Sequence, residues 1–242
     1  MRMDTTKASI RAWIQLLDVG SSEIDVELLT PESEEKEKLF RVSIDGENVG
    51  TIVWNPRTLK GVMDHALRLA TVVHQMPVLM NAIAERETRL RSLRSWIKAP
   101  VKQQPPNAPT AVCLSWENEW RILGRWVPDL IDRGGGRPLL LDPGDGDRKI
   151  DPQDLIQAEP DVMFIGSPAD SKKPDFLTAS DALLNRVRFS GRAYLIDLGT
   201  LTGSGPELYD SVFVLAAGLY PEIEELESER VHLKRFFQLG TD

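Results

Sequence analysis

The 242 residues carry 29 basic and 37 acidic side chains, a net charge of -8, and 41% of them are hydrophobic. That balance argues against nucleic acid as a partner, while length and apolar content fit one large or two small domains with a substantial core. The only cysteine, Cys113, lies inside an apolar run, which excludes an intrachain disulfide and leaves the compartment open.

At the amino end, MRMDTTKASIRAWIQLLDVG places Asp4, Lys7 and Arg11 ahead of a brief apolar patch from Ala12 to Leu17. A secretion signal requires ~7 to 15 apolar residues after a basic start. No run reaches the ~18 apolar residues of a membrane span, and no lipobox-type cysteine is present. The expectation is a soluble, cytoplasmic chain, or a periplasmic one if the true start lies upstream.

Ile10, Trp13, Ile14 and Leu17 recur at helical spacing and predict a short amphipathic helix. The charge run Pro31 to Lys38 reads as a solvated surface. Phe40, Val42 and Ile44 alternate up to Asp45-Gly46, and Val49 to Trp54 is extended again, which predicts two strands around a turn. Asn55-Pro56 then precedes a helix whose apolar face is Leu59, Val62, Met63, Ala66, Leu67, Ala70 and Val73. His65 and His74 fall on it without a nearby carboxylate or cysteine partner, so they read as surface or packing residues and no metal site is expected.

From Val78 to Lys98 the spacing of Leu79, Ile83, Leu90, Leu93 and Ile97 predicts one helix about 32 Å long. It reads either as a connector between two lobes or as a long surface helix on one domain. APVKQQPPNAP, residues 99–109, has four prolines and is a linker.

Thr110 to Leu141 reads as strand, loop, helix, strand, a parallel crossover unit whose loop carries Trp116, Glu117 and Trp120. In an open α/β sheet such a loop lies where ligands bind, and here it presents indoles and a carboxylate instead of a phosphate-binding glycine run. Asp142 to Asp147 (DPGDGD) lacks the EF-hand spacing and reads as a solvated turn. A short helix over Asp154 to Ala158, a buried strand over Asp161 to Ile165, and a loop from Ser167 to Pro174 follow. Next come a helix from Phe176 to Val187, a strand from Ala193 to Ile196, and a loop from Asp197 to Pro206 whose glycines do not make a dinucleotide fingerprint. Pro206 to Leu219 and Glu222 to Leu239 read as closing helices broken at Pro221. The predicted fold is α/β, with a doubly wound three-layer carboxyl-terminal lobe on a parallel sheet.

TAVCLSWENEWRILGRWVPDLIDRGGGRPLLLDPG, then IDPQDLIQAEPDVMFIG, then GSGPELYDS, together with the Asn-Pro and Thr58-Leu59 element, resemble the periplasmic-binding-protein-like family that carries cobalamin and iron chelates for ABC importers. The resemblance is closest to the cobalamin-binding branch and covers about Val53 to Glu222; order and spacing carry it more than any single motif. It implies a reduced amino-terminal lobe over residues 1–77, a connecting helix over 78–98, the proline-rich linker over 99–109, and a carboxyl-terminal αβ lobe over 110–242. It also implies that the loops at 115–124, 167–174 and 197–206 form one jaw of a cleft that closes on a corrin or chelate. Ligand contacts would then fall on Trp116, Glu117, Trp120, Ser167, Gly199, Thr200 and Leu201. The competing reading has Trp116 and Trp120 packing the lobe, and Trp126 reads as core. Two departures stand out: only about fifty residues precede the Asn-Pro element, and the family's Gly-Pro-Arg becomes Gly205-Pro206-Glu207.

The expected function is therefore an ABC-importer-type substrate-binding protein that takes cobalamin, a related corrin or an iron chelate in an inter-lobe cleft, with an ABC permease as partner. With one jaw short, binding is expected to be weak unless residues 1–54 or a homodimer mate supply a second surface. The alternative is a cytoplasmic interaction protein that keeps the lobe and has lost the ligand. A non-enzyme is expected, since no G-x-S-x-G, H-E-x-x-H, P-loop or Cys/His cluster occurs; cobalamin would be cargo, with no other cofactor.

Overall fold

The computed structural model describes residues 3–17, 24–29, 38–97, 107–116, 119–167 and 174–235. The chain divides into two compact units: Met1–Arg89 with Gly203–Leu208, and Leu90–Thr202 with Tyr209–Asp242.

In the first unit, helix α1 (Met3–Leu16) buries Ile10, Trp13 and Ile14, the residues whose spacing predicts it. Strands β1 (Ile24–Leu28), β2 (Leu39–Ile44) and β3 (Glu47–Val53) form an antiparallel sheet in that order. The β2–β3 hairpin turns on Asp45 and Gly46 at φ +52° and +79°, the paired positive angles that a two-residue turn needs for its twist to match the strands. Val26, Phe40, Val42 and Ile52 form its buried face. β1 has no counterpart among the predicted strands, because its IDVEL sequence is short and charged on alternate positions. The charge run before β2 lies outside the described residues except for Lys38.

Helix α2 (Leu59–Val72) starts where Thr58 accepts a hydrogen bond from Gly61 N at 3.0 Å, satisfying a donor that the first turn leaves free. His65 packs edge-on against Trp54, and its Nδ1 lies 2.6 Å from Gly61 O while Asn55 N donates to Nε2, a structural role in line with the sequence reading. Helix α3 (Met76–Trp96) is continuous over 21 residues, and the division between the units falls within it, after Arg89. Most of the proline-rich stretch lies outside the described residues.

The second unit is built on a mixed sheet in the order β10-β9-β8-β4-β5-β7, with β6 paired to β4 as well. Its centre is parallel: β4 (Thr110–Trp116), β8 (Val162–Ser167), β9 (Arg192–Asp197) and the two-residue β6 (Arg137–Pro138). Strands β5 (Trp120–Ile122), β7 (Arg148–Lys149) and β10 (Leu233–Arg235) are antiparallel to their neighbours. Every residue of β8 is buried, as a strand covered on both faces requires.

Helices α5 (Pro152–Ala158) and α6 (Pro174–Val187) cover one face, where Val112, Leu114, Met163 and Ile165 meet Leu155, Phe176, Leu183 and Leu184. On the other face lie α4 (Val127–Arg133), the short α7 (Leu198–Thr202) and α8 (Leu208–Leu219). Gly218 of α8 lies so close to Phe164 that an added Cβ would sit 2.5 Å from its ring, and one on Gly134 after α4 would sit 3.3 Å from Val212 O. This is the three-layer, mainly parallel architecture that the sequence predicts.

Three local expectations are corrected. The Trp116 loop is not a β-to-α loop but the turn of a hairpin, because Trp120 to Ile122 pair antiparallel with Leu114 to Trp116 before α4 leads to β6. Leu139 to Leu141 do not extend the next strand: after Leu139 N donates to Ala111 O, Leu140 adopts φ +73° and turns the chain away. Within the expected helix from Glu222 to Leu239, Glu224–His232 is a 3-10 segment followed by β10, and residues 236–239 lie outside the described residues; the polar, acidic sequence of 224–232 offers no apolar stripe to pack a long helix.

Candidate functional site

Parallel pairing brings three strand ends to one edge of the sheet. Ser115 is level with Gly166, Gly166 with Ile196, and Ser167 with Asp197, so β4, β8 and β9 all terminate together. Ligands of open α/β sheets bind outside such an edge.

The first predicted contact pair, Trp116 and Trp120, is brought together. They are direct cross-strand partners with ring centroids 6.5 Å apart, and both are partly exposed. Trp116 also lies 6.3 Å from the ring of fully buried Phe176, so one side of the pair is packed on the α5–α6 face of the core. Phe176 is a contributor that the sequence reading leaves among helix residues; its position just after the second loop is the signal that could have placed it. Glu117 lies outside the described residues.

Beside the indoles, Glu119 accepts from Arg121 and from Lys149, each at 2.9 Å, and Arg121 also donates to Asp147 O at 3.1 Å. The hydrogen bond from Lys149 is the main reason that the Glu119 carboxyl is held below the usual range, with Arg121 adding to it. Gly124 follows; a Cβ there would fall 2.4 Å from Asp145 O, and Gly124 N donates to Asp147 Oδ1. The DPGDGD turn is thus spent on bracing the hairpin.

Ser167 is buried, and its hydroxyl donates to Ile196 O at 3.2 Å, so it joins strand to strand. Residues 168–173 of the second loop lie outside the described residues. The third loop opens with α7. Asp197 Oδ1 accepts from Gly199 N at 2.7 Å, Trp126 Nε1 donates to Leu201 O at 3.0 Å, and the Ser211 hydroxyl donates to Thr200 O. Gly199 is exposed, Thr200 half-buried and Leu201 fully buried.

Strand alternation assigns the two groups to different faces. Trp116 shares the α5–α6 face with Val112 and Leu114, whereas α7 packs over Gly166 on the α8 face, where an added Cβ would lie 2.7 Å from Leu198 Cδ1. The predicted residues therefore reach the same edge from opposite sides of the sheet. Among the described residues, no group of three or more His, Cys, Asp or Glu side chains is placed to hold a metal ion.

No known family model and no curated protein matches the sequence. Solved structures do. A periplasmic heme-binding protein from Pseudomonas aeruginosa superposes with a TM-score of 0.56 at 23% identity, covering 76% of this chain and 67% of that one. The heme-binding protein HutB of Vibrio cholerae gives 0.53 at 16% identity, covering 68% and 65%. The vitamin B12-binding protein BtuF of Vibrio cholerae gives 0.51 at 18% identity, covering 69% and 63%. The chain spans about two thirds of the length of these neighbours. At such identities the likeness is one of fold, and it is the fold to which the sequence resemblance points: that of substrate-binding proteins for cobalamin and iron chelates. No helix among the described residues is long and apolar enough to cross a membrane.

Proposed function

We propose that this chain is a non-enzymatic binding protein that takes a flat, ring-shaped ligand, a corrin or another metal chelate, at the carboxyl edge of β4, β8 and β9. The observation that carries this reading is the Trp116–Trp120 pair, two partly exposed indoles at the end of the central strand. An aromatic face attracts a planar group by offset stacking, on the order of 1 kcal/mol per contact. On the other side of the same edge, exposed Gly199 offers a surface without a side chain, and Thr200 a hydroxyl. A ligand touching both groups has to reach across the end of the sheet, which suits a macrocycle better than a small ion. Glu117 and Ser167 complete the proposed set, with Ser167 acting through the strand end that it fixes and Leu201 through the backbone it anchors. Delivery to an ABC permease is the role that goes with this reading.

A second reading has a specific observation in its favour. Trp116 is packed against Phe176, Ser167 is buried and already bonded, and Leu201 is fully buried, which suits a lobe kept for protein interaction after the ligand has been lost. Calorimetric titration of the purified chain with cyanocobalamin and with hemin separates the two. Saturable binding that Trp120→Ala weakens about fivefold supports the ligand site. Absence of heat with both probes, or binding indifferent to Trp120, leaves the interaction reading.

A further inference from the structure

Directly after α7 the chain passes from the second unit into the first, at Gly203. Ser204, two residues beyond α7, is 6% exposed and has all three of its polar groups engaged. Its N–H donates to Ser9 Oγ at 3.0 Å, its carbonyl accepts from Trp13 Nε1 at 2.8 Å, and its hydroxyl accepts from Trp54 Nε1 at 3.1 Å. These partners come from α1 and from the residue after β3, which is why Gly203–Leu208 belongs with the first unit. Both indoles are 1% exposed, so water cannot replace the bonds without opening the packing.

We infer that α1 and Trp54 form a positioning clamp for the proposed ligand contacts Gly199 to Leu201, acting through Ser204. Asp197 fixes the loop's entry, Trp126 and Ser211 fix its middle, and the Ser204 clamp fixes its exit. Only Thr202 and Gly203 separate the anchored Leu201 from Ser204. The span between those two Cα atoms is at most ~11 Å, so the chain holds little slack to absorb movement at one anchor without passing it to the next. The residue types are specific to the task. A phenylalanine would fill the site of either tryptophan without donating, and an alanine in place of Ser9 would leave a buried N–H unpaired. The inference rests on the proposed function only in treating 199–201 as ligand contacts.

The test uses the full chain with Ser9→Ala, Trp54→Phe and, as the variant that keeps the hydroxyl, Ser9→Thr. In the absence of ligand, amide hydrogen exchange over residues 198–204 rises about fivefold in Ser9→Ala and in Trp54→Phe, the loss of one ordinary hydrogen bond, while Ser9→Thr stays near the unaltered chain. With cyanocobalamin or hemin as the probe, Kd rises by a similar factor in the first two variants and recovers in the third. Faster exchange confined to residues 3–17, with 198–203 unchanged, overturns the positioning role and reduces the clamp to local packing. Failure of the unaltered chain to bind either probe sinks the functional reading, and the exchange data then decide the clamp by themselves.

Discussion

The two ends of the β4–β8 pair are built on opposite plans. At the amino end, Asp161 Oδ2 accepts from both Thr110 N and Thr110 Oγ1 at 2.7 Å, and Asp161 N donates back to Thr110 Oγ1 at 2.9 Å. Nearby, Tyr220 OH donates to Gly135 O at 2.7 Å and Arg192 donates to Leu219 O at 3.0 Å. At the carboxyl end the hydroxyl of Ser167 is turned inward, and the described surface includes the partly exposed Trp116–Trp120 pair. The amino end is tied by hydrogen bonds to the Asp161 carboxylate, and the carboxyl end leaves two indoles partly exposed beside the Glu119 ion pairs. In a parallel sheet this division lets one end secure register while the other is free to specialise.

Removing the platform that both ends share should have the largest effect. Phe164, fully buried in β8 and stacked on Tyr194 at 5.9 Å, lies under Gly218, so Phe164→Ala should cost about 3–5 kcal/mol in urea unfolding. A loss under 1 kcal/mol would mean that the two ends do not depend on a common core.

Breaking the amino-end lock comes next. Asp161→Ala should cost about 1–2 kcal/mol at pH 7, the low side for bonds to a charged acceptor because the residue is exposed. The backbone and hydroxyl bonds from Thr110 hold its carboxyl below the usual carboxylate range. A depressed pKa in the folded state gives stability that is present above the unfolded value of ~3.9 and is lost as pH falls through the folded one. Unfolding measured from pH 5 down to pH 2 should therefore show a shallower acid limb in Asp161→Asn; parallel curves would remove Asp161 from the lock. At the alkaline side, burial, aided by Glu222, pushes the Tyr220 hydroxyl up to about 12, so its contribution should persist to about pH 10 and decay beyond it.

At the carboxyl end, Trp116→Ala should destabilise by about 2 kcal/mol, less than a fully buried aromatic, and Trp120→Ala by less still, because the Trp116 ring has Phe176 as a second aromatic neighbour at 6.3 Å. Thermal melts of the two variants rank them directly, and the reverse order would mean that Trp120 is the packed member. The smallest effect belongs to Lys149→Ala, whose side chain is 71% exposed. No resolvable shift in Tm is expected, but the Glu119 carboxyl should titrate at higher pH by carbon NMR once its main partner is gone.

Much of this fold was legible. The apolar runs that become β4, β8 and β9, the helix periodicities and the long α3 follow from patterns that tertiary contacts merely confirm. The hairpin was hidden because Trp116 and Trp120 are four residues apart, a helical spacing, and an antiparallel turn places the same two residues opposite each other. The alternation Leu114, Trp116 before the turn and Trp120, Ile122 after it was the available signal. Ser204 was invisible for another reason: its partners stand 150 to 195 residues away, and no local pattern records such a convergence. The strands that lead into the candidate loops end at one edge because crossover topology dictates it, but the face to which each end turns depends on strand register, which single-residue patterns at strand ends do not fix.

The last described strand has a consequence for the behaviour of the chain in concentrated solution. β10 lays Leu233, Lys234 and Arg235 along Ile196, Leu195 and Tyr194, covering the outer backbone of β9. An open β9 would present a row of unpaired donors and acceptors over an apolar strand, a template on which another chain can add. At the opposite border, β7 is only Arg148 and Lys149, both exposed and both cationic, which repels a like edge. The sheet is thus stoppered at one margin by its own tail and at the other by charge, so a chain cut after His232 would keep its core and lose its protection against self-association.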